Sequence, residues 1–377
     1  MKKTFCFKLY NSKKNKHLHK KIDLGCQIYN YAIALHKRYY RLYKKHLNKY
    51  KLQKHLTKAK KRKPYLKNLG SQTIQDITDR IDRSYKLFFR NIKNKIKTAP
   101  PNFKKRKRYK SITLKQAGFK LIADNKIIID KKVYKFFASR KIEGVVKTLT
   151  IKRDALSDIY LFFSVEIEDE KKNKIVTGKK AGFDFGLKTF LTSSEDEDIK
   201  SFLFFNKTLK KIRKLNRNFS RKKKNSSNRS KAKVSLFRAH KKIFNQRKDY
   251  HFKLAKDLSE KYDLLCFENL NVKALQKRYG RKISDLSFSN FLKILEFYGQ
   301  KNGSKIIYID RFYPSSKTCF HCDKVKEDLT LKERIWDCPH CNKIIMRDKN
   351  AAKNIKRQGL VLWNRENKTR INRAIPA

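Results

Sequence analysis

The chain has 377 residues, too many for one small domain, and with 39% hydrophobic residues, 26 Phe and 18 Tyr it can bury real cores in two or three compact units. Its 98 Lys+Arg face 33 Asp+Glu, a formal charge of +65, which repels itself in the folded state unless a polyanion neutralises it. Solubility alone needs no such excess, so the composition points to nucleic acid; no segment approaches the length of a membrane span.

The start alternates, Phe5, Phe7 and Leu9 against Thr4, Cys6 and Lys8, and predicts a strand over residues 1–11. Lys8 breaks its apolar run before a signal core could form, so an intracellular chain is expected. From residue 21 to 56 the pattern turns helical through Ile22, Leu24, Ile28, Tyr29, Ala32, Leu35, Tyr39 and Leu42, up to a polar joint ending at Pro64. The sharpest helix follows, with Ile74, Ile77, Ile81, Tyr85, Phe88, Phe89, Ile92 and Ile96 at three- and four-residue steps. Thr73 and Asp76 predict a capping box at its start, and Pro100-Pro101 its stop. Its stripe reads as core, and its polar face carries Gln72, Gln75, Arg80 and Arg83.

From residue 104 to about 169 the period changes to two, predicting strands at 111–114, 126–130, 146–151 and 160–167. With the first strand they form an antiparallel barrel or sandwich interrupted by the helices of 20–97. The connecting loop holds the basic run Lys104-Lys-Arg106-Lys-Arg108-Tyr-Lys110, a candidate backbone contact. A polar linker, residues 168–180, precedes Ala181-Gly-Phe-Asp184-Phe-Gly, which reads as a strand pair around a tight turn. Residues 207–250 hold 18 Lys+Arg and one acid, Asp249, and read as two long basic helices broken at Asn225-Ser-Ser-Asn228. A buried strand at 262–270, a helix at 288–302 and a strand at 305–310 complete the pattern.

Two constellations carry chemistry. Cys319-Phe-His-Cys322 and Cys338-Pro-His-Cys341, separated by fifteen residues, have the spacing of two knuckles that give Zn²⁺ tetrahedral thiolate coordination. A closed site of this kind is structural; Phe320, Lys324, Lys326, Lys332, Arg334 and Trp336 around it either touch nucleic acid or cover the metal. The other three of the seven cysteines, Cys6, Cys26 and Cys266, lie singly in apolar contexts and read as buried thiols. Asp184, Glu268 and Asp348 stand on apolar strand ends or a helix start, where a carboxylate is expensive unless paired or metal-bound. Phosphodiester hydrolysis with two Mg²⁺ needs such a cluster of hard oxygen ligands.

The text around these residues resembles the TnpB family of transposon-encoded RNA-guided nucleases, related to compact type V CRISPR effectors. Gly182-Phe-Asp184-Phe-Gly-Leu-Lys resembles its first RuvC motif, Cys266-Phe-Glu268-Asn-Leu-Asn-Val-Lys the second, and Arg347-Asp348-Lys-Asn-Ala-Ala-Lys-Asn-Ile the third. The likeness is dense from residue 182 to 355 and looser before 180. Met346 departs from it, standing where the family often has an acid, while Asp348 is kept.

The resemblance implies an α+β multidomain protein. Residues 1–19 and 98–175 would form a barrel-like wedge domain and 20–97 a helical recognition insertion. Residues 180–317 and 343–377 would form an RNase-H-like RuvC domain, with the zinc ribbon, 318–342, inserted. It further implies an RNA-guided endonuclease in the bacterial cytoplasm, a monomer or weak dimer. Its partners would be a guide RNA from the transposon end and double-stranded DNA beside a short adjacent motif. Asp184, Glu268 and Asp348 would bind Mg²⁺ or Mn²⁺, and Cys319, Cys322, Cys338 and Cys341 a structural Zn²⁺. Base pairing would read sequence while the protein reads duplex shape and backbone. Gln72 and Gln75 are candidates for motif readout, since amides pair with adenine edges. Lys104, Arg106, Arg108, Arg221, Lys222, Lys223 and Arg229 are candidates for backbone contact. The alternatives are a type V effector with a CRISPR-derived guide, an RNA-guided DNA-binding repressor, and a basic structural protein with a zinc ribbon. The last two leave the three acids unexplained.

Overall fold

The computed structural model describes residues 2–168, 176–195, 198–330 and 333–374. It divides into two units, Met1–Glu170 and Lys171–Ala377.

The first unit begins with β1 (Lys2–Lys8), followed by helices α1 (Asn15–Tyr43), α2 (Lys49–Arg62) and α3 (Ser71–Lys93). Six strands follow: β2 (Ser111–Leu114), β3 (Phe119–Ala123), β4 (Lys126–Ile129), β5 (Lys132–Lys135), β6 (Val145–Arg153) and β7 (Ile159–Glu166). One antiparallel sheet has the order β1-β7-β6-β2 and a second the order β3-β4-β5. β1 pairs with β7 from Lys2↔Glu166 to Lys8↔Tyr160, so the alternating Phe5, Phe7, Leu161, Phe163 and Val165 all point into the core. The same alternation turns Cys6 outward: it is exposed, which corrects its reading as a buried thiol, whereas Cys26 and Cys266 are buried. β3 and β5 escape the sequence pattern because most of their residues are exposed or only half-buried and each strand is short.

The capping box at the start of α3 does not form. Gly70 is the N-cap and no side chain caps the helix. Thr73 and Asp76 are buried, and Asp76 is paired with Nε of Arg80 at 2.6 Å. An i,i+4 ion pair within the helix has taken the carboxylate that a capping box would use.

The second unit opens with β8 (Lys180–Phe185), β9 (Thr189–Ser193) and β10 (Ile199–Lys200). Helices α4 (Phe204–Lys207), α5 (Leu209–Arg221) and α6 (Ser227–Lys261) follow. Next come β11 (Leu264–Glu268), α7 (Val272–Tyr279), α8 (Arg281–Leu286), α9 (Phe288–Asn302) and β12 (Lys305–Ile309). A small hairpin, β13 (Ile335–Asp337) and β14 (Ile344–Met346), runs straight into α10 (Arg347–Ala374). The basic helix α6 continues eleven residues past 250, because Ala255 and Leu258 keep its apolar face buried.

The main sheet has the order β10-β9-β8-β11-β12, with β8, β11 and β12 parallel and β9 and β10 antiparallel. β11 is an interior strand between β8 and β12, covered on both faces, so Leu264-Leu-Cys-Phe reads as a continuous apolar run instead of alternating. Phe183, Phe267, Phe291 and Leu295 pack on one face, while Cys266, Ile307, Ile309 and Ile355 pack on the other under α10. α10 lies almost on the sheet backbone: a Cβ on Gly182 would overlap the Ala352 carbonyl oxygen and the Lys356 amide nitrogen. Among the described residues no helix is long and apolar enough to cross a membrane.

Candidate active site and metal centre

Parallel pairing of β11 with β8, through Phe267↔Phe183, brings Asp184 and Glu268 to the same end of neighbouring strands. The close seat of α10 on Gly182 brings its first turn, with Asp348, over that end. The three carboxylates line one cavity of about 570 Å³, together with Lys188, Ser316, Arg334, Arg347 and Lys349.

Two of the cavity's acids, Asp184 and Glu268, resist ionisation. Burial, then the charges of Asp348 and Glu268, push Asp184 up from the usual 3.8 to about 8, against the opposing pull of Arg347. Burial raises Glu268 to about 6. Asp348 is held from the hairpin side, with Nη1 of Arg334 2.9 Å from each of its carboxylate oxygens. Lys349 pairs with Asp198, which also lines the cavity, and donates to the Ser193 carbonyl. Carboxylates gathered in this way suit hard divalent cations, whose charge favours the ionised forms that burial opposes.

The four cysteines form a second, tighter group. The ligand atoms of Cys319, Cys322, Cys338 and Cys341 all lie within 4.8 Å of one another, and among the described residues theirs is the metal-ligating group gathered to that degree. Cys319 Sγ is 3.7 Å from Cys341 Sγ, and Cys322 Sγ is 3.5 Å from Cys338 Sγ. Zn–S bonds of about 2.3 Å in a tetrahedron place sulfurs about 3.8 Å apart, so the cluster fits zinc. Trp336 is buried in the small core behind it. Phe320 faces the cations of Lys353 and Arg357 at 5.5 and 4.9 Å. Lys332 lies outside the described residues.

The residues singled out for nucleic acid fall in three places. Gln72 and Gln75 line one cavity of about 600 Å³ with Arg80, Arg83, Thr113 and Lys115. The Gln72 side-chain oxygen already accepts from the Gln116 and Ala117 amides, while Gln75 is exposed. Lys104, Arg106 and Arg108 are exposed on one loop, whose backbone is tied down by Asn30 and Arg153. Arg221, Lys222 and Lys223 are exposed at the α5–α6 corner. Arg229 braces that corner: it donates to the Phe219 and Lys222 carbonyls and stacks on the Phe219 ring at 4.2 Å.

Three site features were not anticipated from the sequence. Arg334 was noted only as a ribbon residue, although it grips Asp348. Asn350 and Asn354 lay in the third motif without a role, although both are buried. The available signal was a pair of amides one turn apart in a run of small and apolar residues.

Comparison with known proteins bears on this geometry. The OrfB_IS605 family, described as "Probable transposase", matches residues 162–279. A second family, "Cas12f1-like, TNB domain", matches residues 288–355. The chain is 31% identical over 253 residues to "TnpB-like protein L79" of Acanthamoeba polyphaga mimivirus, covering 62% of this chain and 47% of that one. It is 34% identical over 215 residues to "Putative RNA-guided DNA endonuclease" of Streptomyces pristinaespiralis, covering 56% and 53%. The matched part thus spans about half the length of these curated relatives. The fold is like that of the solved "Cas12f1-sgRNA-target DNA complex" protein, with TM-score 0.59, 15% identity, and 94% and 98% of the two chains covered. Over the matched residues the chain is thus similar to TnpB-like proteins and to the OrfB_IS605 family.

Proposed function

We propose that this protein is an RNA-guided DNA endonuclease that cuts double-stranded DNA beside a short adjacent motif, with its hydrolytic site at Asp184, Glu268 and Asp348. One observation carries the reading: two parallel strand ends and one helix start open three carboxylates into a single cavity. The relatives named as RNA-guided endonucleases support it, as does a charge of +65 suited to a guide RNA and a heteroduplex.

Mg²⁺ or Mn²⁺ bound by the carboxylates would supply Lewis-acid polarisation of the phosphodiester and an acidified water. The chain's own part is to hold Asp184 and Glu268 on a rigid sheet, where their separation cannot relax, and to present Asp348 from the helix. Arg334 and Arg347, at the cavity wall, are placed to attract the phosphate backbone. Residues 1–19 and 98–175 serve as the wedge, 20–97 as the recognition insertion, 180–317 and 343–377 as the nuclease domain and 318–342 as its zinc ribbon. Gln75, Lys104, Arg106, Arg108, Arg221, Lys222 and Lys223 are exposed and serve as nucleic-acid contacts. Gln72 and Arg229 serve mainly to hold the loops that present them.

The test is Asp184→Ala. The variant should retain RNA binding and lose DNA cleavage, since the carboxylate's role lies in the cavity alone. A variant that still cuts its guided target would sink the assignment.

A further inference from the structure

Two amides join the four-cysteine cluster to the helix that carries Asp348. Asn350 and Asn354 lie one turn apart on α10 and are 4% and 0% exposed. The Asn354 Nδ2 donates to the Thr318 carbonyl at 2.6 Å and the Ser315 carbonyl at 2.8 Å. The Asn350 Nδ2 donates to the same Thr318 carbonyl at 2.7 Å, and its Oδ1 accepts from the Phe320 amide at 2.9 Å. Cys319 sits between Thr318 and Phe320, so the first zinc-ligating residue is hydrogen-bonded to α10 through both chain neighbours. Buried amides and carbonyls have no water to fall back on, so these bonds hold the segment in one place.

The second connection is covalent. The hairpin strand β14, beginning three residues after Cys341, runs without a loop into α10, and the Arg347 amide donates to the Arg334 carbonyl at 2.9 Å. Asp348 thus stands in a helical turn fastened from two sides, and each fastening leads within a few residues to a cysteine of the same cluster. Cys319 Sγ and Cys341 Sγ, one from each fastening, are 3.7 Å apart.

We infer that Asn350 and Asn354 are positioning residues through which the metal-bound cysteine cluster sets the place of Asp348. Zinc at the thiolates and a divalent cation at the carboxylates then bind cooperatively. This rests on the reading of Asp348 as a ligand in the hydrolytic site. The coupling is reciprocal by necessity: whatever zinc does for the carboxylate site, a cation there does for zinc.

The test uses the full chain and Mn²⁺ as probe, with binding followed by electron paramagnetic resonance in the absence of nucleic acid. Zinc is removed from the wild type by dialysis against a chelator, which is itself then removed. The zinc-free protein should bind Mn²⁺ about tenfold or more weakly than the zinc-loaded one. Asn350→Leu and Asn354→Leu keep the side-chain branching but strand the Thr318 and Ser315 carbonyls. They should bind zinc about 10–100-fold less tightly. At saturating zinc they should still bind Mn²⁺ more weakly than wild type, a split that a purely structural loss of stability would not produce. Equal Mn²⁺ affinity with and without zinc overturns the coupling, and does so even if the leucine variants fail to fold. A third titration separates the premises: Asp184→Ala should abolish the Mn²⁺ site. If Mn²⁺ binding is zinc-independent yet lost in Asp184→Ala, only the coupling fails. If Asp184→Ala binds Mn²⁺ like wild type, the hydrolytic site itself is misassigned and the inference falls with it.

Discussion

Both carboxylate oxygens of Asp348 lie 2.9 Å from a single atom, Nη1 of Arg334, which reaches them from the start of the hairpin. A guanidinium there competes with any cation for the same oxygens. The two side chains remain 61% and 40% exposed, so the pair is screened and adds at most about 1 kcal/mol to stability. Arg334→Ala should therefore melt within a few degrees of wild type while binding Mn²⁺ several-fold more tightly in the absence of nucleic acid. Titration of both proteins decides it; equal affinities would mean that the pair opens freely and does not compete.

The raised acids give a pH dependence of definite sign. Asp184 is lifted from 3.8 to about 8 and Glu268 from 4.5 to about 6, so the folded chain holds protons that the unfolded chain releases. Stability of the cation-free protein should therefore fall as pH rises from the ordinary carboxylate range towards about 8. Divalent binding, which needs the charged forms, should tighten over the same window. Melting curves with and without Mg²⁺ across that range should show a cation-induced gain that grows with pH. A gain independent of pH would mean the acids are already ionised.

Gly182 meets the backbone of α10, not flexible side chains. Gly182→Ala should lift the helix from β8, costing about 1–3 kcal/mol by overpacking. Because Asp184 is two residues away and Asp348 is on the helix, Mn²⁺ binding should weaken as well. Urea denaturation and Mn²⁺ titration read the two effects; a fully stable variant would show that α10 shifts without strain.

Removing one thiolate should act on the hairpin first. Structural zinc contributes folding free energy directly, so Cys338→Ser should lose bound zinc and expose β13 and β14 to hydrogen exchange. The sheet core around Phe183, Phe267 and Leu295 should stay protected, since it is built from other residues. Full zinc stoichiometry in the variant would contradict the four-cysteine site.

Legibility followed periodicity. The helix at 288–302 was readable to the residue, because its apolar spacing is regular and Gly303 ends it in a left-handed conformation, φ 76°. β3, β5 and α7 were not, since each is short and half-exposed and local pattern is weak without a buried face. The capping box was legible but wrong: the same Thr73 and Asp76 fit two local arrangements, and the i,i+4 pair of Asp76 with Arg80 took the other.

By itself the sequence determined the large positive charge, the four-cysteine spacing and the three acids on apolar elements, since composition, short spacings and period are local properties. Only the tertiary structure decided that Asp184, Glu268 and Asp348 meet in one cavity, that Arg334 grips one of them, and that Asn350 and Asn354 tie the helix to the cysteines. Those facts depend on parallel strand register and on how closely a helix can approach a glycine. They join residues up to 164 positions apart, from Asp184 to Asp348, and no local pattern encodes them.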